Sequence, residues 1–377
     1  MSAIRSHADQ RTSGISRFLD INRLLSNKKF QSWASNTPLV RWLARTEGEK
    51  IFDLVMGFVN AQVLWALVEL RILNSLLDGP KHVSEIALET TLRPERAEIL
   101  MNSATALGLT KRRVNGVYSL RRKGASLLGV PGLTDMIRHH AHFYRDMSDP
   151  VALLRDEVDT ELSHFWPYVF GASDRAPTNV TENYSQLMAA SQKLVAHDTL
   201  KMVAFGPKTK ILDVGGGTGN FAIELVRKFA DASVDIFDLP QVKPAAETHL
   251  SANGFSDRIG FQPGSFRNEP LPAGYDAITL IRVLYDHSDS TVMELLQRAH
   301  DALPQGGKLI VSEPMTGGDR PHRAGDVYFA FYTMAMRTGK ARSANQISEM
   351  CNKIGFRYIF TPKAPRKFIT SAVISVK

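Results

Sequence analysis

The 377-residue sequence contains a single cysteine, Cys351. One cysteine cannot form an intrachain disulfide bond, and it suits a protein of a reducing compartment. No cysteine and histidine spacing typical of a zinc site occurs, so no metal is expected. Internal repeats and low-complexity tracts are also absent from the sequence. With 44% hydrophobic and 22% charged residues, the chain is expected to fold into ordinary globular domains, of which its length allows two.

No hydrophobic run reaches the roughly 20 residues that span a bilayer. The longest charge-free apolar stretch, Leu54–Val68, has about 15 residues and includes Asn60 and Gln62. It predicts one long apolar helix, or two, over Ile51–Leu77, buried either in its own chain or in a subunit interface rather than in a membrane. Residues 1–23 lack an apolar segment with a cleavage site, so no secretory signal is expected.

The net charge of +8 is unevenly distributed along the chain. Residues 1–130 contain 19 Lys and Arg against 11 Asp and Glu, whereas residues 131–377 contain 27 of each. An excess of basic residues in one third indicates either a solvated surface or an anionic partner, which would be lipid headgroups or nucleic acid. Trp33 and Trp42 lie among the basic residues of this arm. Packing on the body of the protein is the favoured interpretation, and a segment that docks at a membrane interface is the other.

A winged helix is predicted after the apolar helix. The predicted elements are the helices Val83–Glu89 and Pro94–Ala106 and the strands Leu109–Val114 and Val117–Leu120. Asn115-Gly116 between the strands is typical of a two-residue hairpin turn. Because basic residues flank the hairpin, binding of duplex DNA is one interpretation and a dimerisation scaffold is the other. The nucleoside site predicted further along favours the scaffold.

That site is built around a glycine cluster. An apolar strand, Ile211–Val214, enters the cluster Gly215–Gly219, and an apolar-periodic helix, Ala222–Phe229, leaves it. Glycine suits a backbone that takes positive φ or closely approaches a ligand, and free N–H groups at a helix start attract polar ligand groups. A second strand, Val234–Asp238, ends in an acid, where nucleotide-binding folds place the carboxylate that binds the ribose. The pattern predicts a nucleoside site.

The register of the glycines bears on which nucleoside binds. Gly217-x-Gly219-x-x-Ala222 fits the relaxed dinucleotide fingerprint, which keeps NAD open. Counted from Asp213, the pattern D-x-G-x-G-x-G is similar to the first motif of class I S-adenosylmethionine (SAM) methyltransferases. A SAM pocket needs carboxylates around an ammonium and a sulfonium, and an acid that opens the turn suits that chemistry.

Strands and helices alternate from Thr209 onward, which predicts an α/β fold with a doubly wound, mostly parallel sheet. Ligands of such sheets bind at the carboxyl ends of the strands. The predicted strands are Ile211–Val214, Val234–Asp238, Ile259–Pro263, Asp276–Ile281, Lys308–Ser312, Arg357–Thr361 and Phe368–Val376.

Five short segments carry a family resemblance. They are Asp213–Gly219, Phe237–Pro240, Gly264–Phe266, Arg282–Asp289 and Ser312–Pro314. In this order and spacing they resemble the SAM-dependent O-methyltransferases, the family of the caffeic acid and acetylserotonin enzymes. The resemblance covers residues 50–377 and implies a class I SAM methyltransferase (Rossmann-like) domain at 206–377, with SAM as co-substrate and no metal. It also implies a mainly helical winged-helix dimerisation domain at 51–205, after a basic arm at 1–50.

Leu284–Asp289 and the long basic N-terminal segment most resemble the carotenoid branch, the hydroxyneurosporene and demethylspheroidene O-methyltransferases of purple bacteria. That branch implies a homodimer that methylates a hydroxyl of an acyclic hydroxycarotenoid, a hydrophobic small molecule. We expect a cytoplasmic protein with peripheral contact to the inner (photosynthetic) membrane through its basic N-terminal third, and no nucleic-acid partner. The alternatives are O- or C-methylation of a polyketide, phenol or bacteriochlorophyll-type acceptor and, more remotely, a SAM-sensing DNA-binding regulator.

The resemblance assigns a set of residues to the cofactor. The glycines would let the backbone wrap the methionine part of SAM, Asp238 would bind both ribose hydroxyls, and Leu239 and Phe266 would enclose the adenine. Ser265 stands where the family usually has Asp, and a hydroxyl accepts a hydrogen bond with less electrostatic attraction. The full set is Asp213, Gly215, Gly217, Gly219, Asp238, Leu239, Ser265, Phe266 and Arg282.

The largest departure from the family lies at the catalytic base. The family motif reads Leu-His-Asp-Trp and its histidine takes the substrate's proton, but here Tyr285 has that position and His287 follows two places later. A neutral imidazole is the natural base near neutral pH, whereas a tyrosine, with a pKa of about 10, would need substantial tuning. Both therefore stay open as the catalytic group. Glu313 matches one acid that supports the family's histidine, whereas Ala341 stands where the second acid falls.

The acceptor pocket is predicted from apolar and aromatic residues, with ordinary core packing as the alternative. The resemblance points to Tyr184 and Met188, and the residues that could extend the pocket are Phe329, Phe331, Tyr332, Met334 and Met336. A methionine-rich lining suits a long polyene. His139, His140 and His142 form a histidine group without accompanying carboxylates or cysteines, which favours a helix that lines a pocket or core over a metal site.

Overall fold

The computed structural model describes residues 21–165 and 191–377. The chain divides into two units, Met1–Leu120 and Arg121–Lys377. The predicted domain boundary at residue 205 lies inside the second unit.

The helices of the first unit begin at residues that favour helix starts. The Asn27 side chain accepts hydrogen bonds from the N–H groups of Lys29 and Phe30, which caps the first helix. Proline opens the second and fifth helices, where its missing N–H would be unpaired in any case. The helices are α1 Lys28–Asn36, α2 Pro38–Glu69, α3 Ile72–Ser75, α4 Val83–Thr90 and α5 Pro94–Ala106.

Helix α2 differs from its prediction in burial. Leu54 is 72% exposed and Phe58 is 71% exposed, and the buried residues of α2 are Leu67 and Val68. By length and composition α2 could cross a membrane. Of the two expected kinds of burial, the single chain covers the end of the helix at Leu67 and Val68, and burial of the exposed apolar side chains in a subunit interface stays a prediction.

The winged helix contains a strand that the sequence did not predict. The strands are β1 Lys81–His82, β2 Thr110–Arg112 and β3 Val117–Leu120, in the antiparallel order β1-β3-β2. The hairpin loop has three residues rather than two, because the Arg113 N–H bonds to the Val117 carbonyl and residues 114–116 turn between them. Asn115 (φ +57°) and Gly116 (φ +72°) supply the left-handed backbone of that turn.

The second unit begins with four helices, α6 Arg122–Gly129, α7 Leu133–Asp146, α8 Pro150–Leu154 and α9 Glu161–Phe165. Residues 191–202 are also helical and lead toward the sheet. The Asp146 carboxylate accepts hydrogen bonds from the N–H groups of Glu161 and Leu162, which fixes the start of α9 against the end of α7.

A seven-stranded sheet forms the centre of this unit, as predicted. Its strands are β4 Lys210–Val214, β5 Ser233–Asp238, β6 Ile259–Pro263, β7 Ala277–Ile281, β8 Lys308–Glu313, β9 Arg357–Phe360 and β10 Ser371–Val376. The order is β6-β5-β4-β7-β8-β10-β9. The first five strands are parallel, and β10 is antiparallel to both β8 and β9. The predicted class I SAM methyltransferase fold is confirmed.

Helices cover the sheet because alternate strand residues enter two apolar layers. Leu212 and Leu280 pack with Leu295 on one side, and Ile211 and Ile310 pack with other helices on the opposite side. The helices are α10 Asn220–Lys228, α11 Lys243–Ala252, α12 Asp289–Ala302, α13 Ala330–Ala335 and α14 Ala344–Ile354, with a π-helix at Arg323–Phe329 and single 3₁₀ turns at Pro240–Val242 and Leu284–Asp286. The carboxyl ends of β4, β5, β7 and β8 therefore share one edge, where the predicted site residues gather.

Candidate functional site

The glycine turn between β4 and α10 leaves no room for a side chain at Gly215 or Gly219. Gly215 (φ +70°) and Gly219 (φ +86°) have left-handed backbones. A Cβ at Gly215 would lie 2.9 Å from Cγ2 of Val283, and one at Gly219 would lie 2.9 Å from Cδ1 of Ile236. Because only backbone lines the turn, a ligand can approach its N–H groups and the N-terminus of α10 closely.

Asp213 lies beneath this turn, 1% exposed. Its Oδ1 accepts a hydrogen bond from Oγ1 of Thr279 (2.7 Å), whereas Oδ2 has no partner among residues 21–165 and 191–377. The pKa of Asp213 is raised to about 7, mainly by burial. The hydrogen bond from Thr279 acts in the opposite direction, and the charge of Asp238 acts in the same direction as burial. A buried carboxylate oxygen without a donor is suited to a ligand that brings a positive charge.

Asp238, at the end of β5, links that strand to the glycine turn. Its two carboxylate oxygens accept hydrogen bonds from the N–H groups of Gly217 (2.7 Å) and Leu239 (2.7 Å). Burial raises the pKa of Asp238, and these two hydrogen bonds act in the opposite direction. The structure thus brings the two predicted acids and the glycines together.

Phe266 and His287 face each other across the same edge. Their ring centroids are 5.4 Å apart in an edge-to-face arrangement. Nδ1 of His287 accepts a hydrogen bond from Nη2 of Arg267 (3.2 Å). Burial, together with the charges of Arg267 and Arg342, lowers the pKa of His287 to about 4. His287 therefore lies with the residues predicted to enclose the adenine, and Ser265 directly precedes Phe266 there.

Tyr285 points elsewhere. Its hydroxyl accepts a hydrogen bond from Nη2 of Arg282 (3.2 Å), and the guanidinium lies 5.9 Å from the ring centroid. Burial raises the pKa of Tyr285, with the Arg282 charge opposing that rise. Arg282 has a left-handed backbone (φ +59°) and also donates to Oγ of Ser191 (2.9 Å). Arg282, predicted with the cofactor residues, thus lies against Tyr285.

One buried acid, Glu313, supports the segment that holds Tyr285, and a second acid, Asp286, belongs to that segment. Oε2 of Glu313 accepts a hydrogen bond from the Tyr285 N–H (3.0 Å). Within the part of the chain that the structure describes, Oε1 of Glu313 and Oδ1 of Asp286 have no partner. Burial raises the pKa of Glu313 to about 7 and that of Asp286 to about 8. Glu313 therefore contacts the backbone of the residue at the family's histidine position.

Sequence reasoning missed Arg342, which is fully buried. Its guanidinium donates to the carbonyls of Leu284 (2.9 Å), Lys340 (3.1 Å) and His287 (2.8 Å), and its Nε donates to the Asp289 carboxylate (2.8 Å). It thus clamps both ends of the 3₁₀ turn that carries Tyr285. The family pattern marks only the neighbouring Ala341, where the second acid is missing, and no feature of the sequence connects Arg342 with this turn.

The predicted acceptor residues are only partly visible. Tyr184 and Met188 lie outside the described residues. Tyr332 and Met336 are buried in an apolar cluster with Phe143, which also holds Phe331 and Met334 at its periphery. The predicted acceptor residues that the structure describes in this cluster, Tyr332, Met336, Phe331 and Met334, therefore lie in a packed core beside α7.

The histidine group on α7 makes contacts that the sequence did not reveal. Nε2 of His139 lies 2.8 Å from Oη of Tyr332, and Nε2 of His140 lies 2.7 Å from Oη of Tyr328. Nδ1 of His142 lies 2.7 Å from Oε2 of Glu161. No group of three or more metal-ligating side chains occurs in residues 21–165 and 191–377.

Two family models and several known proteins are similar to this sequence. The family model described as the O-methyltransferase domain matches residues 144–357, and the model of the O-methyltransferase dimerisation domain matches residues 52–129. Demethylspheroidene O-methyltransferase of Cereibacter sphaeroides is 47% identical over 377 residues, covering 100% of this chain and 99% of the relative. The Rhodobacter capsulatus enzyme of the same name is 45% identical over 351 residues, covering 93% of this chain and 88% of the relative.

A solved structure agrees with the fold. Human N-acetylserotonin methyltransferase in complex with SAM has a TM-score of 0.75 to this chain at 24% identity, covering 88% of this chain and 97% of the human one.

Proposed function

The chain belongs to the O-methyltransferase family, and on that basis we propose that it methylates a hydroxyl group of an acyclic hydroxycarotenoid such as demethylspheroidene. The methyl donor is SAM, in which a positively charged sulfur activates the methyl group. The observation that carries the acceptor is the 47% identity to a demethylspheroidene O-methyltransferase along the full length of both chains.

The residues at the glycine turn fit SAM. Oδ2 of Asp213, which lacks a donor among the described residues, would face the positive charge of the ligand. The main chain of the glycine turn would hold the methionine part. Glycine is needed at positions 215 and 219 because a Cβ there would collide with Val283 or Ile236. Asp238 would bind the ribose hydroxyls beside its two backbone donors.

The adenine would lie beside Phe266. We assign Leu239 and Phe266 to its two faces and Ser265 to its edge, as in the family pattern. His287 contacts Phe266 edge to face and belongs to this wall rather than to the acceptor side. Because its Nδ1 accepts from Arg267, a neutral His287 carries its hydrogen on Nε2 and has no lone pair left for the substrate's proton.

We assign Tyr285 to the acceptor side. Its hydroxyl accepts from Arg282, so its own hydrogen is directed elsewhere and can bond to the acceptor oxygen. Glu313 and Arg342 hold the backbone of this residue from both sides of the 3₁₀ turn. The site thus works mainly by orientation, holding oxygen, methyl carbon and sulfur in line.

Labelled SAM and a panel of hydroxylated acyclic carotenoids in detergent, with phenolic acceptors alongside, test the proposal. We expect label in the carotenoid methoxy product. The Asp238→Ala variant should weaken SAM binding by about 100-fold through the loss of charge-assisted hydrogen bonds. Asp257→Ala, which removes an exposed acid, should behave like the wild type. Label that moves only into phenols would discard the carotenoid acceptor, and bound SAM without transfer to any acceptor would contradict the proposed enzyme.

The chain forms a homodimer through its dimerisation domain, and we propose that exposed apolar residues of α2 from position 52 onward form the contact. Leu54 and Phe58 lie inside the 52–129 match and are more than two-thirds exposed in the single chain. Apolar surface of this kind on one helix is typical of a protein interface.

We also propose that residues 21–50 contact an anionic membrane surface while the protein stays cytoplasmic. This segment precedes the dimerisation match and exposes Leu39 (95%), Trp42 (73%) and Trp33 (54%). Lys28, Lys29, Arg41 and other basic residues lie among them. Exposed tryptophans beside basic residues suit headgroup docking, and a carotenoid acceptor is dissolved in the same membrane. Binding to anionic vesicles that declines as salt rises is the expected behaviour.

A further inference from the structure

The charges of the second unit are unevenly distributed along its sequence. Residues 131–349 contain 21 Lys and Arg against 27 Asp and Glu, whereas residues 350–377 contain six Lys and Arg and no Asp or Glu. The equal totals for residues 131–377 therefore combine an acidic part with a basic carboxy-terminal part. A segment that carries charge of one sign attracts a partner of the opposite sign, here an anionic one.

This basic segment forms one edge of the seven-stranded sheet. It contains the edge strand β9, its neighbour β10 and the loop 361–370 between them. Among the described residues, Arg366 is the only one of the six basic residues in an ion pair, and it donates to both carboxylate oxygens of the buried Asp198 (2.8 and 2.9 Å). This pair anchors the loop, and Lys363 and Lys367 on either side of it are exposed. Their charges are therefore available to a partner.

Three large aromatic side chains of the same segment are exposed. Tyr358 is 84% exposed, Phe368 64% and Phe360 52%. Tyr358 also has a left-handed backbone (φ +44°), which is unfavourable for a tyrosine. Aromatic rings that neighbouring strands and their loop hold outside the core are typical of a contact surface. We call Tyr358, Phe360, Lys363, Lys367 and Phe368 the carboxy-terminal patch.

The shape of β9 disfavours a partner that would extend the sheet. Arg357 pairs with Val376 and Phe360 with Ile374, so β9 has one more residue than β10 between these two pairs. Such a bulge, with the left-handed Tyr358 inside it, interrupts the row of backbone groups that another strand would bind. Aromatic rings among unpaired lysines suit instead the headgroup region of an anionic bilayer, where rings lie at the interface and ammonium groups meet phosphates.

The loop of this segment ends at the sheet edge that carries the candidate site. Ser371, the first residue of β10, pairs with Glu313 at the end of β8. Oγ1 of Thr370 lies 2.9 Å from Oγ of Ser312. Phe368 comes two residues earlier and is therefore within about 7 Å of Thr370 along the chain. A bilayer that contacts Phe368 lies near the edge where the site residues gather.

We propose that the carboxy-terminal patch is a second membrane-docking surface, which binds anionic lipid headgroups separately from residues 21–50. Its three aromatic rings enter the headgroup region, and its two lysines bind lipid phosphates. The inference deepens the proposed function, because it rests on an acceptor that is dissolved in a membrane for the choice of partner. The contact itself is measured without the acceptor, so the two proposals are tested independently.

A fluorophore beside the patch detects this contact apart from that of residues 21–50. Cys351 is the only cysteine and is fully buried, so Thr361→Cys in the full-length protein can be labelled selectively with an environment-sensitive dye. We expect a blue shift with vesicles of phosphatidylglycerol and phosphatidylcholine and none with pure phosphatidylcholine. Thr248→Cys, at an exposed position of α11, is the matched control and should show no shift with either.

Charge reversal tests the lysines of the patch. Lys363→Glu/Lys367→Glu should lower the affinity for the anionic vesicles by about 20-fold at about 0.1 M salt and weaken its dependence on salt. Lys208→Glu/Lys243→Glu changes the net charge of the protein equally at positions outside the patch and should stay within about twofold of wild type. The Kd for SAM, within about twofold of wild type in both variants, verifies that they are folded.

Removal of the rings tests the apolar part of the patch. Phe360→Ser/Phe368→Ser should lower the vesicle affinity by about tenfold, because less apolar surface leaves water on binding. The salt dependence should remain that of the wild type, since no charge is changed. Loss of the salt dependence in this variant would contradict the assigned roles.

A label at position 361 that does not respond to anionic vesicles would overturn the proposal. Equal losses of affinity in the two charge-reversal variants would also overturn it, because they would indicate an effect of net charge alone. A blue shift that follows protein concentration without lipid would assign the patch to a second copy, and one with duplex DNA instead of vesicles would assign it to nucleic acid. If the label responds to vesicles but no carotenoid is methylated, the proposed acceptor fails and the docking surface stands.

Discussion

Three acids with raised pKa values set the electrostatics of the site at the scale of single residues. Asp213, Glu313 and Asp286 all have a carboxylate oxygen without a donor among the described residues. An acid whose folded pKa is raised contributes stability below its unfolded pKa of about 4, and that contribution is lost as the pH rises through the folded value. The ligand-free protein therefore loses stability toward pH 7 to 8, where a positively charged ligand restores it.

SAM binding should consequently depend on pH. If Asp213, with a pKa of about 7, must be ionised to hold the positive ligand, the Kd for SAM should decrease about tenfold from pH 6 to pH 8 and then level off. Calorimetric titration measures this directly. S-adenosylhomocysteine, which lacks the sulfonium charge, should show a weaker dependence, and Asp213→Asn should flatten the SAM profile. A wild-type Kd that is constant over this range would contradict the assignment of Asp213.

At the scale of elements, one buried arginine determines the shape of the 3₁₀ turn Leu284–Asp286. Arg342 binds the carbonyls of Leu284 and His287 on the two flanks of Tyr285, and it shares the Asp289 carboxylate with Lys340. The hydrogen bonds to these partners offset the free energy needed to bury the guanidinium. Its removal leaves carbonyls and a carboxylate without donors, which lowers the stability of the folded state.

Arg342→Met should therefore lower the free energy of unfolding by about 3 kcal/mol and reduce kcat more than it changes the Kd for SAM. Lys340→Ala is the matched control, because Lys340 pairs with the same Asp289 carboxylate from a half-exposed position and should cost less than about 1 kcal/mol. Denaturant unfolding of both variants provides the comparison. Equal losses in the two would show that the clamp lies in the Asp289 pair rather than in the carbonyl contacts.

Elements with strong local patterns were predictable from the sequence. The seven strands of the sheet have apolar runs bounded by turn residues, and the glycine turn follows from steric demands of the backbone alone. The two-residue strand β1 has no apolar pattern of its own, because Lys81 and His82 pair with β3 through backbone groups. A short strand of this kind depends on its partner and not on its own residues.

The site was predictable where a role lies within one motif and not where it depends on distant contacts. Residues two apart on a strand share a face, but the 3₁₀ turn directs Tyr285 toward Arg282 and His287 toward Phe266. His139 and His140 bond to Tyr332 and Tyr328, which lie 193 and 188 positions away in the chain, and the periodicity of a helix carries no information on such a partner.

At the scale of the whole molecule, helix α2 carries apolar surface of two kinds. The part from residue 52 onward lies inside the dimerisation match, and the part before it lies outside. Both expose large side chains in the single chain. If the two parts serve a second copy and a lipid surface respectively, substitutions in each should affect one property and spare the other.

Phe58→Glu should shift the protein toward monomer at micromolar concentration, because a buried unpaired charge at a subunit contact is costly. Leu39→Glu should leave the dimer intact and reduce binding to anionic vesicles by about tenfold, through lost apolar contact and added like-charge repulsion. Light scattering and vesicle sedimentation measure the two properties. If Leu39→Glu dissociates the dimer, or if Phe58→Glu remains fully dimeric, the division of the helix is wrong.

The left-handed backbone of Arg282 has a consequence for how this enzyme can evolve. Arginine in that conformation costs about 1 kcal/mol relative to glycine, which takes it freely. Glycine would recover that energy but would abandon the contacts with Ser191 and Tyr285. Selection for stability alone therefore favours glycine at position 282, whereas selection for turnover favours arginine. A library screened only for thermal tolerance should enrich inactive sequences with glycine at this position.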